Sequence, residues 1–244
     1  MSQLGRFDLN LLKSVPALCG VDEAGRGALA GPVVAGAVLL GPGFYQGAWR
    51  TKHGARIQDS KKLDAAERED LRGELETLAG QGCVRAATGS AGVAEIAERN
   101  ILGATKLAMA RALEALEREA ASPLERSSGG DLLFGESSAV FPLVLVDGVP
   151  LKGFPFRHRA VVGGDAKSLA VAMASIFAKT ERDRLMVRLD AEVGGYGFAN
   201  HKGYGTEEHR EALLRLGVSP AHRELFVRKL FAGREAPGQA LLEF

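Results

Sequence analysis

Apolar positions along the chain alternate between two spacings. Short apolar runs predict strands at Leu18–Val21, Val33–Leu40, Cys83–Thr88, Leu143–Val146 and Ala160–Val162. Leu143–Val146 is apolar without interruption, as expected of a strand buried on both faces. Gly41-Pro42-Gly43 has turn chemistry and opens an expected loop over residues 43–58. Helical spacing predicts Asp64–Leu78, with Asp64 as cap and Gly80 as stop. It predicts a short helix near Val93–Ala97 and a longer one over Ile101–Ala120, where Ile101, Ala104, Leu107, Ala108, Ala112 and Leu116 share a face. Further helices are expected at Ser168–Val193, at Glu207–Leu216 with Thr206 as cap, and at His222–Phe231. Residues 121–139 turn to Ser, Gly, Pro and Glu with no apolar face and read as a surface loop. Strands interleaved with helices predict an α/β fold with a mixed central sheet.

Composition adds limits rather than a function. With 244 residues, 46% hydrophobic and 25% charged, the chain suits one large domain carrying a small helical appendage. Cys19 and Cys83 have no CxxC spacing, which argues for a reducing compartment and against zinc. The N-terminus mixes charges into its apolar residues, and no apolar run reaches the length of a membrane span, so a cytoplasmic protein with no membrane partner is expected. The net charge of +1 does not point to nucleic acid, so any polyanionic substrate must be argued from local clusters.

Asp22 lies at the end of the first strand and Glu23 follows it, Asp147 ends the most hydrophobic strand, and Asp183 lies within a helix. Catalytic groups of α/β proteins gather beyond strand ends, and carboxylates gathered there are usually held together by Mg2+ or Mn2+. Two such ions can activate water and stabilise the leaving oxygen of a phosphodiester. Adjacent residues of a regular strand point to opposite faces, so sharing one metal site requires the strand to bend or end by Glu23. Gly25 and Gly27 supply the backbone freedom. Structural readings compete: Asp147-Gly148 is a common turn, and Lys179 and Asp183 are spaced as a helical ion pair.

Gly25-Arg26-Gly27 can form an anion-binding nest in which Arg26 grips a phosphate. A dinucleotide-binding turn fits poorly, because the spacing to Gly31 is wrong and Pro32 stands where the helix should begin. Lys61, in Asp59-Ser60-Lys61-Lys62, suits phosphate or a solvated surface, and Tyr204, between Gly203 and Gly205, suits stacking on a sugar or base or an ordinary loop. His201, His209 and His222 lack metal-ligand spacing, and Cys19 reads as strand core.

The run Val21-Asp22-Glu23-Ala24-Gly25-Arg26-Gly27-Ala28-Leu29-Ala30-Gly31-Pro32-Val33-Val34-Ala35 closely resembles the opening signature of bacterial ribonuclease HII, the type 2 ribonucleases H. The similarity continues through Asp59–Leu63, Asn100-Ile101, Val146-Asp147-Gly148, Ala174–Lys179 with Arg182-Asp183, and His201–Thr206. The resemblance implies an RNase H-like fold, with a catalytic domain over residues 1–195 and a C-terminal helical region over 196–244 that completes the substrate groove. It implies a monomer that cleaves RNA in RNA–DNA hybrids and incises 5′ to single ribonucleotides in duplex DNA, as in ribonucleotide excision repair and DNA replication. Asp22, Glu23, Asp147 and Asp183 would hold Mg2+ or Mn2+. Gly25, Arg26 and Gly27 would read the ribonucleotide and its 2′-OH, and Tyr204 would stack on the next deoxynucleotide sugar. Lys61 and Lys179 lie in matched motifs and are carried as substrate-binding residues. Ala28, Glu98-Arg99 and Thr180-Glu181 depart from the usual pattern without removing a proposed ligand. Two alternatives stay open at this point: a type 3 ribonuclease H, and a hybrid-binding module without catalysis.

Overall fold

The computed structural model describes residues 3–47, 52–54, 56–57, 63–120 and 143–231. Lys61 and the loop expected at 121–139 lie outside the described residues. At the centre is a five-stranded sheet in the order β3-β2-β1-β4-β5. Its strands are β1 (Leu18–Ala24), β2 (Val33–Leu40), β3 (Arg85–Ala91), β4 (Val144–Asp147) and β5 (His158–Val161). β1, β2 and β3 form an antiparallel ladder, and β4 and β5 extend the other edge of β1 in parallel. The sheet is mixed, as expected, and β2 is buried along its whole length, which is why it reads as a continuous apolar run.

The helices are α1 (Gln3–Leu11), α2 (Pro42–Gln46), α3 (Ala65–Gly80), α4 (Val93–Ala120), α5 (Leu169–Val193), α6 (Phe198–His201), α7 (Glu207–Leu216) and α8 (Glu224–Val227). Strand alternation divides the core. Leu18, Val38 and Leu40 pack with α5 on one face, while Cys19, Val21 and Ala35 pack with α4 on the other. α5 sits unusually close to the sheet, because Gly20 and Gly36 present no side chain to it. A Cβ at Gly20 would collide with the Ala170 backbone, and one at Gly36 with the Ala174 carbonyl. A third core joins Ala30, Met186, Tyr196, Phe198, Leu213 and Val227, tying the C-terminal helices to α5 and to the segment after β1.

Local signals place most elements well. Ser168 caps α5, Thr206 caps α7, and Asp64 with Glu67 forms a reciprocal capping box at α3. Several expectations change. Pro42 takes the first turn of α2 instead of a loop, since its missing N–H costs nothing there and the helix buries Phe44 and Tyr45. α3 runs through Gly80, and the chain turns at Gly82 with φ 73°. The two helices expected around residue 100 meet as one, α4, broken at Asn100 (φ 56°), whose Oδ1 accepts the N–H groups of Leu102 and Gly103 and caps the second segment. The helix expected at His222–Phe231 shrinks to α8 and a 3-10 turn, because His222 forms a bridge with Ala30.

Candidate active site

The β1 ladder pairs Asp22 with Gly36, Glu23 with Ala35 and Ala24 with Val34. The strand therefore does not bend by Glu23. Pairing with β2 is satisfied as far as Ala24, and the reversal comes at Gly25, whose φ of 92° no other residue adopts cheaply. Asp22 accordingly faces α5, 6% exposed and hydrogen-bonded to Ser175. Glu23 accepts from Arg26 Nη1 at its Oε1, 2.9 Å away, and its carboxyl stays within electrostatic reach of Asp22 and Asp147. The Glu23 N–H donates to Asp22 Oδ1 at 2.7 Å, so the two carboxyl groups are linked through one backbone unit.

Asp147 closes β4 one residue beyond Val146, the partner of Val21, and so lies level with Asp22 on the neighbouring strand. Its Oδ1 accepts from the Gly164 N–H at 2.6 Å, while Gly148 (φ 90°) turns the chain away, so the strand-end site and the turn coexist. Burial raises the Asp22 carboxyl to about 7, Ser175 opposes this, and the charges of Glu23 and Asp147 add to it. Burial also raises Glu23, against the pull of Arg26.

Asp183 is on α5, two turns beyond Ser175 and about 12 Å along the axis. Lys179 Nζ donates to its Oδ1 at 2.7 Å, the ion pair anticipated from their spacing. Asp183 also lines a groove of about 310 Å³ with Thr180, Arg184 and Lys202. The fold thus brings Asp22, Glu23 and Asp147 within electrostatic reach and leaves Asp183 paired with Lys179.

The donor chemistry suits a hard divalent ion: the donors are carboxylate oxygens, and burial, with the charges of Glu23 and Asp147 added, raises Asp22. Among the described residues, no three acidic, histidine or cysteine side chains close around one point. Arg26 engages Glu23 and Lys179 engages Asp183, so assembling all four acids on one site means releasing both basic groups.

Beyond Glu23, the glycines differ in role. A Cβ on Gly25 would collide with the side chain of Arg182, whereas one on Gly27 would meet open space. Gly25 is required by the fold, and Gly27 leaves its backbone open to an approaching ligand. Arg26 is exposed and reaches back to Glu23. Tyr204, across from this turn, has Arg182 Cζ 5.1 Å and Lys179 Nζ 5.6 Å from its ring centroid.

Three contributors, Ser175, Arg182 and Arg223, have no chemical signature of their own in the sequence. Arg182 and Arg223 are fully or nearly fully buried and donate to backbone carbonyls of the segment after β1. Charge normally signals solvent, so position within the Arg182-Asp183 motif was the only available clue. His201, His209 and His222 are also buried, and their ring nitrogens are engaged by protein groups. Cys19 is strand core, its thiol driven well above its ordinary range by burial.

The family model for Ribonuclease HII matches residues 19–125 and 143–233, which take in every element from β1 to α8. The chain belongs to the ribonuclease HII family. A ribonuclease HII of Rhizorhabdus wittichii is 46% identical over 220 residues, covering 90% of this chain and 92% of the relative. The solved PCNA:RNase HII complex from Archaeoglobus fulgidus matches with a TM-score of 0.57 at 25% identity, over 84% of this chain and 93% of that one. Bst-RNase HIII, solved with Mn2+, shares the fold with a TM-score of 0.60 at 17% identity, over 90% of this chain and 70% of that one. As a ribonuclease HII, the protein is a ribonuclease H, a hydrolase of a metal-dependent endonuclease family, and the type 3 alternative gives way. Among the described residues, no helix is long and apolar enough to cross a membrane.

Proposed function

We propose that the protein cuts the RNA strand of RNA–DNA hybrids and incises duplex DNA 5′ to an embedded ribonucleotide, leaving a 3′-hydroxyl and a 5′-phosphate. The observation that carries this reading is the adjacency of the Asp22, Glu23 and Asp147 acids to the Gly25–Gly27 turn, with the Tyr204 ring facing that turn across Arg182.

In this reading Asp22, Glu23, Asp147 and Asp183 hold Mg2+ or Mn2+. When bound, these ions supply an activated water and stabilise charge at the leaving oxygen. Ser175 orients Asp22, and the Gly164 N–H orients Asp147. Gly25, Arg26 and Gly27 read the ribonucleotide. The open space beside Gly27 lets backbone approach the 2′-OH, the group that separates RNA from DNA. Tyr204 stacks on the following deoxynucleotide sugar. Lys179 and, on motif position alone, Lys61 contact phosphates. The enzyme works as a cytoplasmic monomer, with residues 1–195 as the catalytic domain and 196–244 completing the groove. The third core, which binds α7 and α8 to α5, supports that division of labour.

The test uses duplex DNA with one ribonucleotide beside an all-RNA hybrid, each with Mg2+, with Mn2+ and with a chelator. A nick on the 5′ side of the ribonucleotide, dependent on the metal, is expected. Inactivity on both substrates with either ion, or a nick on the 3′ side, would refute the assignment.

A further inference from the structure

The segment between β1 and β2 is tied to the fold from both sides of its backbone: the N–H groups of Leu29, Ala30 and Gly31 donate to Gly203 O and Ala221 O, and two arginines hold its carbonyls. Arg182 donates from Nε to Pro32 O at 3.1 Å and from Nη2 to Ala30 O at 3.3 Å. Arg223 donates from Nε to Gly31 O at 2.9 Å, and from Nη1 to Arg26 O at 3.0 Å and Ala28 O at 2.9 Å. The Arg223 N–H takes Leu29 O at 2.8 Å. Two guanidinium groups that share one small core, with carbonyls as their main partners, are costly to bury. Burial, and for Arg223 the repulsion of Arg182, push both below their ordinary range. A fold that tolerates this cost needs the shape these groups impose.

Arg223 grips the loop and lies over Phe226, its Cζ 5.4 Å from that ring centroid. Arg182 does more, because its guanidinium stands between two recognition surfaces. On one side it fills the space a Cβ at Gly25 would occupy, and on the other its Cζ lies 5.1 Å from the Tyr204 ring centroid. It is also the residue before Asp183 on α5, so it is anchored to the same helix as a proposed carboxylate ligand. A planar, rigid fork can span a carbonyl on one edge and an aromatic ring on its face, whereas an ammonium cannot do both.

We propose that Arg182 is a positioning residue that sets the distance between the Gly25–Gly27 turn and the Tyr204 ring, and so sets the preference for an RNA-to-DNA step over continuous RNA. This rests on the reading above, in which the turn meets the ribonucleotide and Tyr204 the next sugar. The two surfaces must be one nucleotide step apart, and a shift of about 1 Å in such an arrangement can cost on the order of a hundredfold.

The experiment compares kcat/KM on DNA carrying a single ribonucleotide with kcat/KM on an all-RNA hybrid, for the parent, Arg182→Lys, Tyr204→Ala and the double variant. Arg223→Lys serves as a control that loosens the loop while leaving in place the guanidinium that fills the space beside Gly25 and lies on the Tyr204 ring. Arg182→Lys should lower the ratio of the two constants on the order of tenfold or more. Tyr204→Ala should lower it as well, and the double variant should be no worse than Tyr204→Ala, because both changes break one relay. Arg223→Lys should slow both substrates alike. If Tyr204→Ala shifts the ratio but Arg182→Lys does not, the positioning role is wrong and the functional reading stands. If Tyr204→Ala leaves the ratio unchanged, the reading beneath the proposal fails. Arg182→Gln, which keeps an N–H donor, is the second variant. Loss of cooperative melting in both Arg182→Lys and Arg182→Gln would make Arg182 a requirement of the core and overturn the proposal.

Discussion

His209 and His222 meet edge to edge in the C-terminal core, Nε2 to Nε2 at 3.0 Å. The surrounding bonds assign their protons. His222 Nδ1 accepts from the Ser219 N–H at 3.1 Å, so its proton is on Nε2 and points at His209. His209 Nε2 is then the acceptor, and its Nδ1–H donates to Tyr204 O at 3.0 Å. A proton added to this pair would set two N–H donors against each other behind the loop that carries Tyr204. Burial lowers both rings, and it lowers His222 to about 4.

Acid should therefore weaken the C-terminal core. A histidine depressed in the fold contributes stability that is fully present above its unfolded value near 6.5 and is lost as pH falls toward 4. Urea unfolding at pH 7.5 and pH 5, for the parent and His222→Gln, isolates the effect. The parent should lose more stability between these pH values than the variant; equal losses would mean the pair does not titrate with unfolding.

Asp22→Asn should reduce cleavage by at least about a thousandfold while substrate binding survives. It carries a second, independent signature. The Asp22 carboxyl is raised to about 7, so its contribution to stability is present below about pH 4 and is lost as pH rises through 7. Without added metal at pH 8, Asp22→Asn should melt higher than the parent. A lower melting temperature there would show that the carboxylate is already neutralised by a neighbour.

Asp8 is a buried acid on α1, accepting from Tyr45 Oη at 2.8 Å and from the Ala170 N–H at 3.1 Å. Burial raises it to about 6 despite these bonds. Its stabilising contribution is present below about pH 4 and disappears as pH rises past 6. Asp8→Asn should gain on the parent by on the order of 2–3 kcal/mol between pH 4 and pH 8. Denaturant titrations at the two pH values decide it, and a pH-independent difference would rule it out.

Gly36→Ala probes the contact that brings α5 to the sheet beside Asp22. The added methyl would strike the Ala174 carbonyl, so α5 must move. Overpacking of this kind costs about 1–3 kcal/mol. Calorimetry should show a lower melting temperature, and activity should fall further than the stability loss explains, since Ser175 and Asp183 travel with α5. Full activity in a destabilised variant would separate the helix position from catalysis.

What could be read from the chain follows from how local each signal is. The caps at Asp64, Ser168 and Thr206 act over three residues, and the apolar face of α4 repeats within a helix, so both survive folding unchanged. Asp22, Glu23, Gly25, Arg26 and Gly27 occupy one short segment, and their proximity needs no tertiary information. The bend expected at Glu23 illustrates the limit. Alternation along β1 is a local property, but whether the ladder continues past Glu23 depends on β2, which supplies Val34 and Ala35 as partners.

The sequence by itself determined the element types, the acidic strand end with its glycine-flanked arginine, and, through motif order, the ribonuclease HII family. Tertiary structure alone decided which side chains face each other. It placed Gly20 and Gly36 under α5, and it buried Arg182 against Pro32 and Gly25. It also turned three histidines inward and set His209 against His222. The glycine and arginine contacts join residues more than a hundred positions apart in the chain. A buried arginine or histidine has the same letter as a solvated one, and only packing, by removing water, decides which it becomes.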